Sequence, residues 1–238
     1  MARQFLKANS DGAYRDPHSM AGIGGVCLSL WLWRLDNSVV QILFEYDQTN
    51  GFDYVPNGFA PGDLIRSYFV SGAQWSDKWN PTAATGAWHH YFFIIPGTGE
   101  GVPPPVRNQV WLDNVQQTLT VNSAVNGAGT IAASAPFTVL CRRVGGVNSL
   151  FSSGIIAELA MWSSHTMITA PAQFVRQLAA GCNPLRVRTT ECIMYVPFYG
   201  VDSPEPDYHF GGRQFTLTGT PTAVRHPPTV RAMVNFQD

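Results

Sequence analysis

Apolar residues recur at every second position over short stretches along most of the chain. In residues 26–35, VCLSLWLWRL, leucine at 28, 30 and 32 alternates with serine at 29 and tryptophan at 31 and 33. A period of two predicts a β-strand. Clusters of Gly, Pro, Asn, Asp and Ser bound each stretch, as is usual at turns. The same pattern predicts further strands at 39–47, 65–72, 87–95, 108–114, 137–143 and 154–162.

One segment has the pattern of a helix instead. In residues 169–184, TAPAQFVRQLAAGCNP, Pro171 suits a first helical turn, and Phe174 and Leu178 fall on one face. A glycine and then a proline follow, as they commonly do after a helix. We therefore predict one short helix near residues 170–181 in an otherwise all-β chain.

Strand-like pieces return between residues 190 and 220 and are expected to close the same domain. Regular short strands with few helical patterns favour a β-sandwich of antiparallel sheets. We predict one such domain over residues 1–224, followed by a Pro-rich C-terminal arm at 225–238.

Composition narrows the class of protein. Charged residues make up 13% of the chain against 45% hydrophobic residues, and the net charge of −1 gives no reason to expect nucleic acid as a partner. No apolar run reaches the ~18–20 residues of a membrane span, and the first residues have no secretory signal pattern. The four cysteines have no C-x-x-C spacing, so we expect reduced, mostly buried thiols and no zinc site, with one disulfide as the alternative.

Two adjacent histidines, His89 and His90, precede an apolar run in residues 88–95, WHHYFFII. Neighbouring side chains on a strand point to opposite faces, so the pair cannot bind one metal ion from the same face. We interpret both histidines as hydrogen-bonded structural residues. The alternative is a pH-sensitive or ligand-contacting histidine.

Both faces of this strand are apolar or aromatic, as are both faces of the strand at 28–33. A sandwich strand usually has one dry face and one wet face. The second face is therefore expected to be covered, either by another part of this chain or by a partner protein.

Four motifs in order resemble laminin G-like domains of the concanavalin A-like lectin/glucanase superfamily: FLKANS…VCLSLWLW, AWHHYFFI, NQVWLDNVQQ and GIIAELAMWSS…AGCNPL. The resemblance covers residues 4–185 and implies a jelly-roll β-sandwich of two antiparallel sheets. Asn114 stands where the family usually has a turn glycine, and Ala157 where it usually has an acidic residue. Residues 192–228 resemble the closing strands of free-standing copies encoded among bacteriophage structural genes, which implies a virion protein.

Glycosidases need two carboxylates around the scissile bond. Glu45 and Asp47 would share one strand face, but the third acid of the usual motif of this superfamily is missing. We therefore expect no enzyme, and a laminarinase-type glycoside hydrolase remains the weakest alternative. No cofactor or metal site is expected, although the acidic stretches at 36–41 and 47–53 leave Ca²⁺ open.

Two segments predicted as loops combine aromatic rings with hydrogen-bonding side chains. Sugar-binding sites usually have this combination. Anchoring of a long loop to the sandwich rim is the alternative role for the tryptophans. The candidate glycan-binding residues are Trp75, Asp77, Trp79 and Asn80 in one loop, and Tyr54 and Asn57 in the other.

The leading hypothesis is a non-enzymatic virion structural protein, either a capsid decoration or a tail-associated subunit. We expect it to form a homo-oligomer or to bind a capsid or tail protein, with the arm at 225–238 available for strand addition. The second hypothesis is a glycan-binding adhesion module that attaches a particle to a host surface.

Overall fold

Two antiparallel sheets face each other, and the side chains between them form the core. This arrangement follows from the period-two pattern, because every strand with one apolar side needs a second sheet to cover it. The computed structural model describes residues 1–19, 23, 25–35, 42–46, 51–55, 63–68, 74–79, 85–96, 108–125, 134–163, 171–187, 190–199, 203–209 and 214–227.

The strands within these ranges are mostly short. They are β1 (Ala2–Phe5), β2 (Gly12–Ser19), β3 (Gly25–Arg34), β4 (Phe44–Tyr46), β5 (Phe52–Val55), β6 (Asp63–Tyr68), β7 (Gln74–Trp79), β8 (Trp88–Pro96), β9 (Gln109–Leu112), β10 (Val115–Gln116), β11 (Thr120–Val125), β12 (Ser134–Val139), β13 (Arg142–Val144), β14 (Val147–Ser149), β15 (Gly154–Trp162), β16 (Cys192–Val196), β17 (Glu205–Pro206), β18 (Gln214–Thr218) and β19 (Thr222–Val224).

The strand order brings distant parts of the chain together. In the described part of the chain, the first sheet runs β10–β9–β8–β3–β15–β1–β19, and β16 pairs with the second half of β15. The second sheet runs β11–β7–β6–β5–β4–β12–β2–β18–β17. Strands β13 and β14 form a separate hairpin. Because β19 pairs with β1, the chain up to residue 224 contributes to the sandwich. The boundary with the arm at 225–238 stays a prediction.

Strand β8 has the side-chain arrangement that the alternation predicts. Tyr91 and Phe93 point into the core between the sheets, whereas Phe92 and Ile94 belong to a second apolar cluster on the outer face of the first sheet. The outer face therefore needs a cover of its own.

A helix of the same chain provides this cover. Helix α1 spans Pro171–Ala179, within the predicted range, and buries Phe174, Val175 and Leu178. The ring of Phe174 lies 5.4 Å from that of Phe92 and 5.0 Å from that of Trp162, both edge to face. The internal alternative is therefore confirmed for this part of the outer face.

Two predictions of local structure need correction. The segments around Phe52–Val55 and Gln74–Trp79 were expected to be loops, but they are strands: β5 pairs with β4 and β6, and β7 pairs with β6 and β11. The predicted strand at 137–143 is divided between β12 and β13, because Leu140 has a left-handed backbone (φ 58°) that interrupts the ladder. In the first case long-range pairing decides the structure over local composition.

Two further features are the length of the helices and the state of the cysteines. Within the described residues, the structure has no helix with the length and apolar character that a membrane crossing requires. The four cysteines form no disulfide: Cys27, Cys141 and Cys192 are buried, and Cys182 is partly exposed.

Candidate functional site

The predicted glycan-binding residues lie mainly in the interior. The rings of Tyr54 and Trp79 are buried in the core, 5.8 Å apart. Asp77 is also buried and accepts a 2.9 Å hydrogen bond from Asn108 Nδ2. A buried ring cannot stack on a sugar, so this placement corrects the assignment of these three side chains as exposed glycan contacts.

For the other three candidates, the assignment as glycan contacts stays a prediction. The backbone of Trp75 belongs to β7, in register with Ser67 and Ala124. Asn57 and Asn80 lie outside the described residues.

The two histidines have separate structural partners. His90 is buried, and its Nε2 lies 2.9 Å from Ser29 Oγ. Burial lowers the pKa of His90 to about 3. On the other strand face, His89 Nδ1 lies 2.6 Å from Asp113 Oδ2. The interpretation of both as hydrogen-bonded structural residues is confirmed.

No metal site is evident among the described residues. In these ranges no three His, Cys, Asp or Glu side chains converge as a metal site. The acidic stretch at 36–41 lies outside the described residues, and that at 47–53 is only partly described. The expectation of no cofactor, with Ca²⁺ left open, stays a prediction.

A small, partly enclosed groove with a free volume of about 10 Å³ lies on the outer face of the first sheet, beside the end of helix α1. Strands β3 and β15 form its floor, and the turn after the helix forms one wall. We call it the Glu158 groove; it is lined by Ser29, Trp31, Glu158, Leu178, Gly181, Cys182 and Pro184.

The helix ends here for a local reason. Gly181 has a left-handed backbone (φ 84°), which glycine adopts at no steric cost. Its N–H donates to the Leu178 carbonyl over 2.9 Å, and the Cys182 N–H donates to the Gln177 carbonyl over 3.0 Å. This pair of bonds is the Schellman motif. The chain turns away after it, so Trp31 remains partly exposed although the outer face under the helix is buried.

Strand β15 presents Glu158 to the groove through a bulge. Ala157 pairs with Trp31 and Ala160 with Ser29, so two residues of β15 oppose one residue of β3. Glu158 lies in the bulge with a left-handed backbone (φ 54°). This conformation costs a non-glycine residue roughly 1–2 kcal/mol. Strained backbone of this kind clusters at functional sites.

Two side chains hold the Glu158 carboxylate. The Tyr195 hydroxyl donates to Oε2, and His226 Nε2 lies 2.8 Å from Oε1. Burial and the nearby Glu158 charge raise the pKa of Tyr195 well above its usual value, so the phenol stays protonated as a donor. The Glu158 side chain remains 18% exposed. Each carboxylate oxygen can accept two hydrogen bonds, which leaves acceptor capacity toward the groove.

The groove thus combines an aromatic surface with one oriented carboxylate. Glu158 is the only carboxylate among its described lining residues, whereas glycoside hydrolysis uses two. Sequence reasoning did not select this site. Its one local signal was a single glutamate within an apolar strand, IIAELAMW. The contact with His226 joins residues 68 positions apart and has no sequence signature.

Comparisons with known proteins bear on the fold. The sequence matches no family model and no curated protein. A candidate carbohydrate-binding protein of Bacteroides ovatus has a similar structure, with a TM-score of 0.61 and 12% identity over 95% of this chain. The match covers 60% of that protein, so this chain spans less than two thirds of its length.

Two more distant similarities are to a heptameric SAP-like pentraxin of Limulus polyphemus and to tailspike protein 2 of the Escherichia coli O157:H7 bacteriophage CAB120. The pentraxin match has a TM-score of 0.48 and 12% identity, covering 92% of this chain and 94% of the pentraxin. The tailspike match has a TM-score of 0.48 and 13% identity, covering 82% of this chain and 26% of the tailspike. The fold class is all-β, as predicted: in the described residues, a sandwich of two antiparallel sheets with one short α-helix, similar in fold to the Bacteroides ovatus protein.

Proposed function

We propose that this chain is a non-enzymatic glycan-binding protein and that the Glu158 groove is its binding site. The observation that carries the proposal is the Glu158 carboxylate, held by Tyr195 and His226 beside the partly exposed indole of Trp31. The proposal moves glycan binding from the residues selected by sequence to a different face of the molecule.

The chemistry of the groove suits a sugar. The C–H face of a pyranose ring packs against an indole, and its hydroxyl groups donate to a carboxylate. Binding sites commonly combine an apolar surface with a few well-placed polar groups. The partners of Glu158 fix its carboxylate before a ligand arrives, which lowers the entropy cost of binding. The fold shared with the Bacteroides ovatus candidate carbohydrate-binding protein agrees with this proposal.

A glycan array tests the site directly. We expect the wild-type protein to bind a defined set of glycans and Trp31→Ala and Glu158→Gln to lose about tenfold or more in affinity, equivalent to ~1.4 kcal/mol. The matched controls are Tyr14→Ala, on a strand of the second sheet, and Glu191→Gln, whose carboxylate accepts from Thr190. Cooperative thermal unfolding well above the assay temperature would show that all four variants fold. Binding that survives both groove substitutions would refute the site.

The non-enzymatic part of the proposal rests on the single carboxylate of the groove. We expect bound glycans to be recovered intact after long incubation, with no new reducing ends. Release of shortened products by the wild-type protein, abolished in Glu158→Gln, would contradict this part and leave the binding site in place.

We further infer that the chain belongs to a bacteriophage virion, as a capsid decoration or tail-associated subunit. Support comes from the motif resemblance to laminin G-like domains among phage structural proteins. It also comes from three exposed apolar side chains, Val144, Val147 and Leu150, on and beside the β13–β14 hairpin, where a neighbouring subunit could cover them.

Light scattering and sedimentation with purified phage shells test this role. We expect self-association or co-sedimentation in the wild type and a loss of either in Val147→Asp. Thr216→Asp, an exposed substitution on β18, is the control. Strictly monomeric protein that does not bind shells or tails would contradict the virion role, whatever the glycan array shows.

A further inference from the structure

Two more tryptophans lie on the same sheet face as the groove. Trp33 is two residues from Trp31 on β3, so both side chains point outward at a spacing of ~6.6 Å along the strand. Trp33 pairs with Trp88 of β8, and their rings meet edge to face at 5.9 Å. Both rings are partly exposed. We call Trp31, Trp33 and Trp88 the tryptophan strip.

Among the described residues, the neighbours of Trp33 across the sheet are uncharged. Ile155 of β15 pairs with Trp33, and Gln4 of β1 pairs with Ile155, so both share the outer face, and both are partly exposed. Arginines of β1 and β3 point to the other face, where Arg34 pairs with Asp63 and Arg3 with Glu205. Within the described ranges, the strip therefore offers aromatic and amide contacts, and these two arginines point away from it.

We propose that the Glu158 groove and the tryptophan strip together bind several consecutive units of a linear, neutral polysaccharide. This inference rests on the proposed function and specifies its ligand. The spacing between Trp31 and Trp33 is close to the length of one sugar unit in an extended chain, so successive rings can pack on successive indoles. Glu158 accepts hydroxyl hydrogens at one end and disfavours carboxylated sugars by charge repulsion.

The shape of the surface favours a polymer over a terminal sugar. A terminal sugar is usually recognised in a pocket that surrounds it, whereas the strip lies on the face of a sheet. Each additional unit then adds a similar contact, so affinity should increase with chain length until the strip is filled.

Calorimetric titration with neutral gluco-, manno-, galacto- and xylo-oligosaccharides of two to six units tests the inference. For the bound series, we expect the wild-type affinity to rise about tenfold or more from the shortest to the longest member. Trp33→Ala and Trp88→Ala should remove most of this gain, so that the longest member binds no more than about threefold more tightly than the shortest. Trp31→Ala should weaken every length. Trp33→Phe provides a milder substitution if the alanine variant does not fold, and Tyr14→Ala is the control.

The outcomes separate the two proposals. Affinity that is independent of length and insensitive to Trp33→Ala overturns the polymer inference and leaves the groove as a site for a short glycan. Preference for sialylated or uronic acid chains overturns the neutral ligand class. If substitutions in the strip change only the oligomeric state, the strip is a contact between protein chains. This result also overturns the inference. Absence of binding to every glycan overturns the proposed function itself.

Discussion

Arg142 donates from its Nε to Glu45 Oε2 over 2.7 Å. Glu45 stands between Phe44 and Tyr46, whose rings are in the core, so its carboxylate lies on the outer face of the second sheet. The β13–β14 hairpin crosses this face and also brings Arg142 within 3.5 Å of the buried Asp53. The Glu45 carboxylate, which was considered above as a catalytic group, is therefore part of an ion pair.

The first prediction concerns this ion pair. Arg142→Met leaves buried carboxylates without their guanidinium, a change that costs ~3–5 kcal/mol in a fully buried pair. Because Arg142 is partly exposed, we expect a smaller loss of about 2 kcal/mol in the free energy of unfolding, measured in urea. Arg143→Met, which removes a cation–π contact with Tyr14, should cost about 0.5–1 kcal/mol. Equal losses in the two variants would contradict the ion-pair role.

The second prediction addresses hydrolysis through Glu45. We expect no release of reducing ends from β-glucans by the wild-type protein or by Glu45→Gln, because the Glu45 carboxylate forms an ion pair with Arg142. A β-glucanase assayed in parallel confirms that the substrate is cleavable. Hydrolysis by the wild type that disappears in Glu45→Gln would restore the glycosidase alternative.

The third prediction concerns acid stability. The pKa of His90 is about 3 in the folded protein because of burial, against ~6.5 in an unfolded chain, so the unfolded state binds a proton first as pH falls. The stability contribution of neutral His90 is complete above pH ~6.5 and is lost progressively between ~6.5 and ~3. At pH 5 the loss is about 2 kcal/mol.

Urea unfolding of the wild type and of His90→Gln at several pH values tests this. The variant should show a flatter dependence of unfolding free energy on pH between ~6.5 and ~3, even if it is less stable at neutral pH. His89→Gln is the matched control, because it keeps the buried imidazole. Parallel pH curves for the wild type and His90→Gln would show that His90 does not cause the acid sensitivity.

The fourth prediction concerns the thiols. Burial raises the pKa of Cys141 to about 12 and that of Cys192 to about 11, so neither forms a reactive thiolate at neutral pH. Cys27 is buried as well, and Cys182 is partly exposed in the groove. Native protein should react rapidly with a maleimide at Cys182 alone, and all four thiols should react after denaturation. Bound glycan should slow the native reaction; rapid labelling of Cys192 would contradict the burial.

The fifth prediction concerns a close backbone approach. A Cβ on Gly12 would lie 2.6 Å from Cys141 Sγ and 2.8 Å from Cys141 Cβ. We expect Gly12→Ala to lower the free energy of unfolding by about 1–3 kcal/mol through overpacking. Adding Cys141→Gly to Gly12→Ala removes both contacting atoms. The loss in unfolding free energy of the double variant should therefore be smaller than the sum of the losses of the two single variants. Additive losses would argue against a direct clash.

The hydrophobic patterns of the sequence predicted those features of the fold that depend only on residues close together in the chain. The alternation in β3 and β8 identified which side chains enter the core, because pleat parity needs no knowledge of the fold. Phe174 and Leu178 marked the buried side of the helix, because helical periodicity is equally local. Parity did not reveal that this helix covers the outer face, since that contact depends on the tertiary arrangement.

The candidate site was less accessible to sequence reasoning. Tyr54 and Trp79 have the composition of a sugar-binding loop, and only the pairing of β5, β6 and β7 places their rings inside the sandwich. Glu158 reaches the groove through a bulge, and its partner His226 comes from the far end of the described chain. Neither relationship follows from periodicity, because both depend on strand register.

The β13–β14 hairpin turns through Gly145 and Gly146, both with positive φ and with open space around the position of a Cβ. It packs on the second sheet, whereas the Glu158 groove opens on the first. A reporter peptide spliced between these glycines would therefore project from the opposite side of the molecule. Under the two proposed roles, such a fusion should retain glycan binding at the Glu158 groove and hinder docking through Val144 and Val147, so one insertion would test the two roles separately.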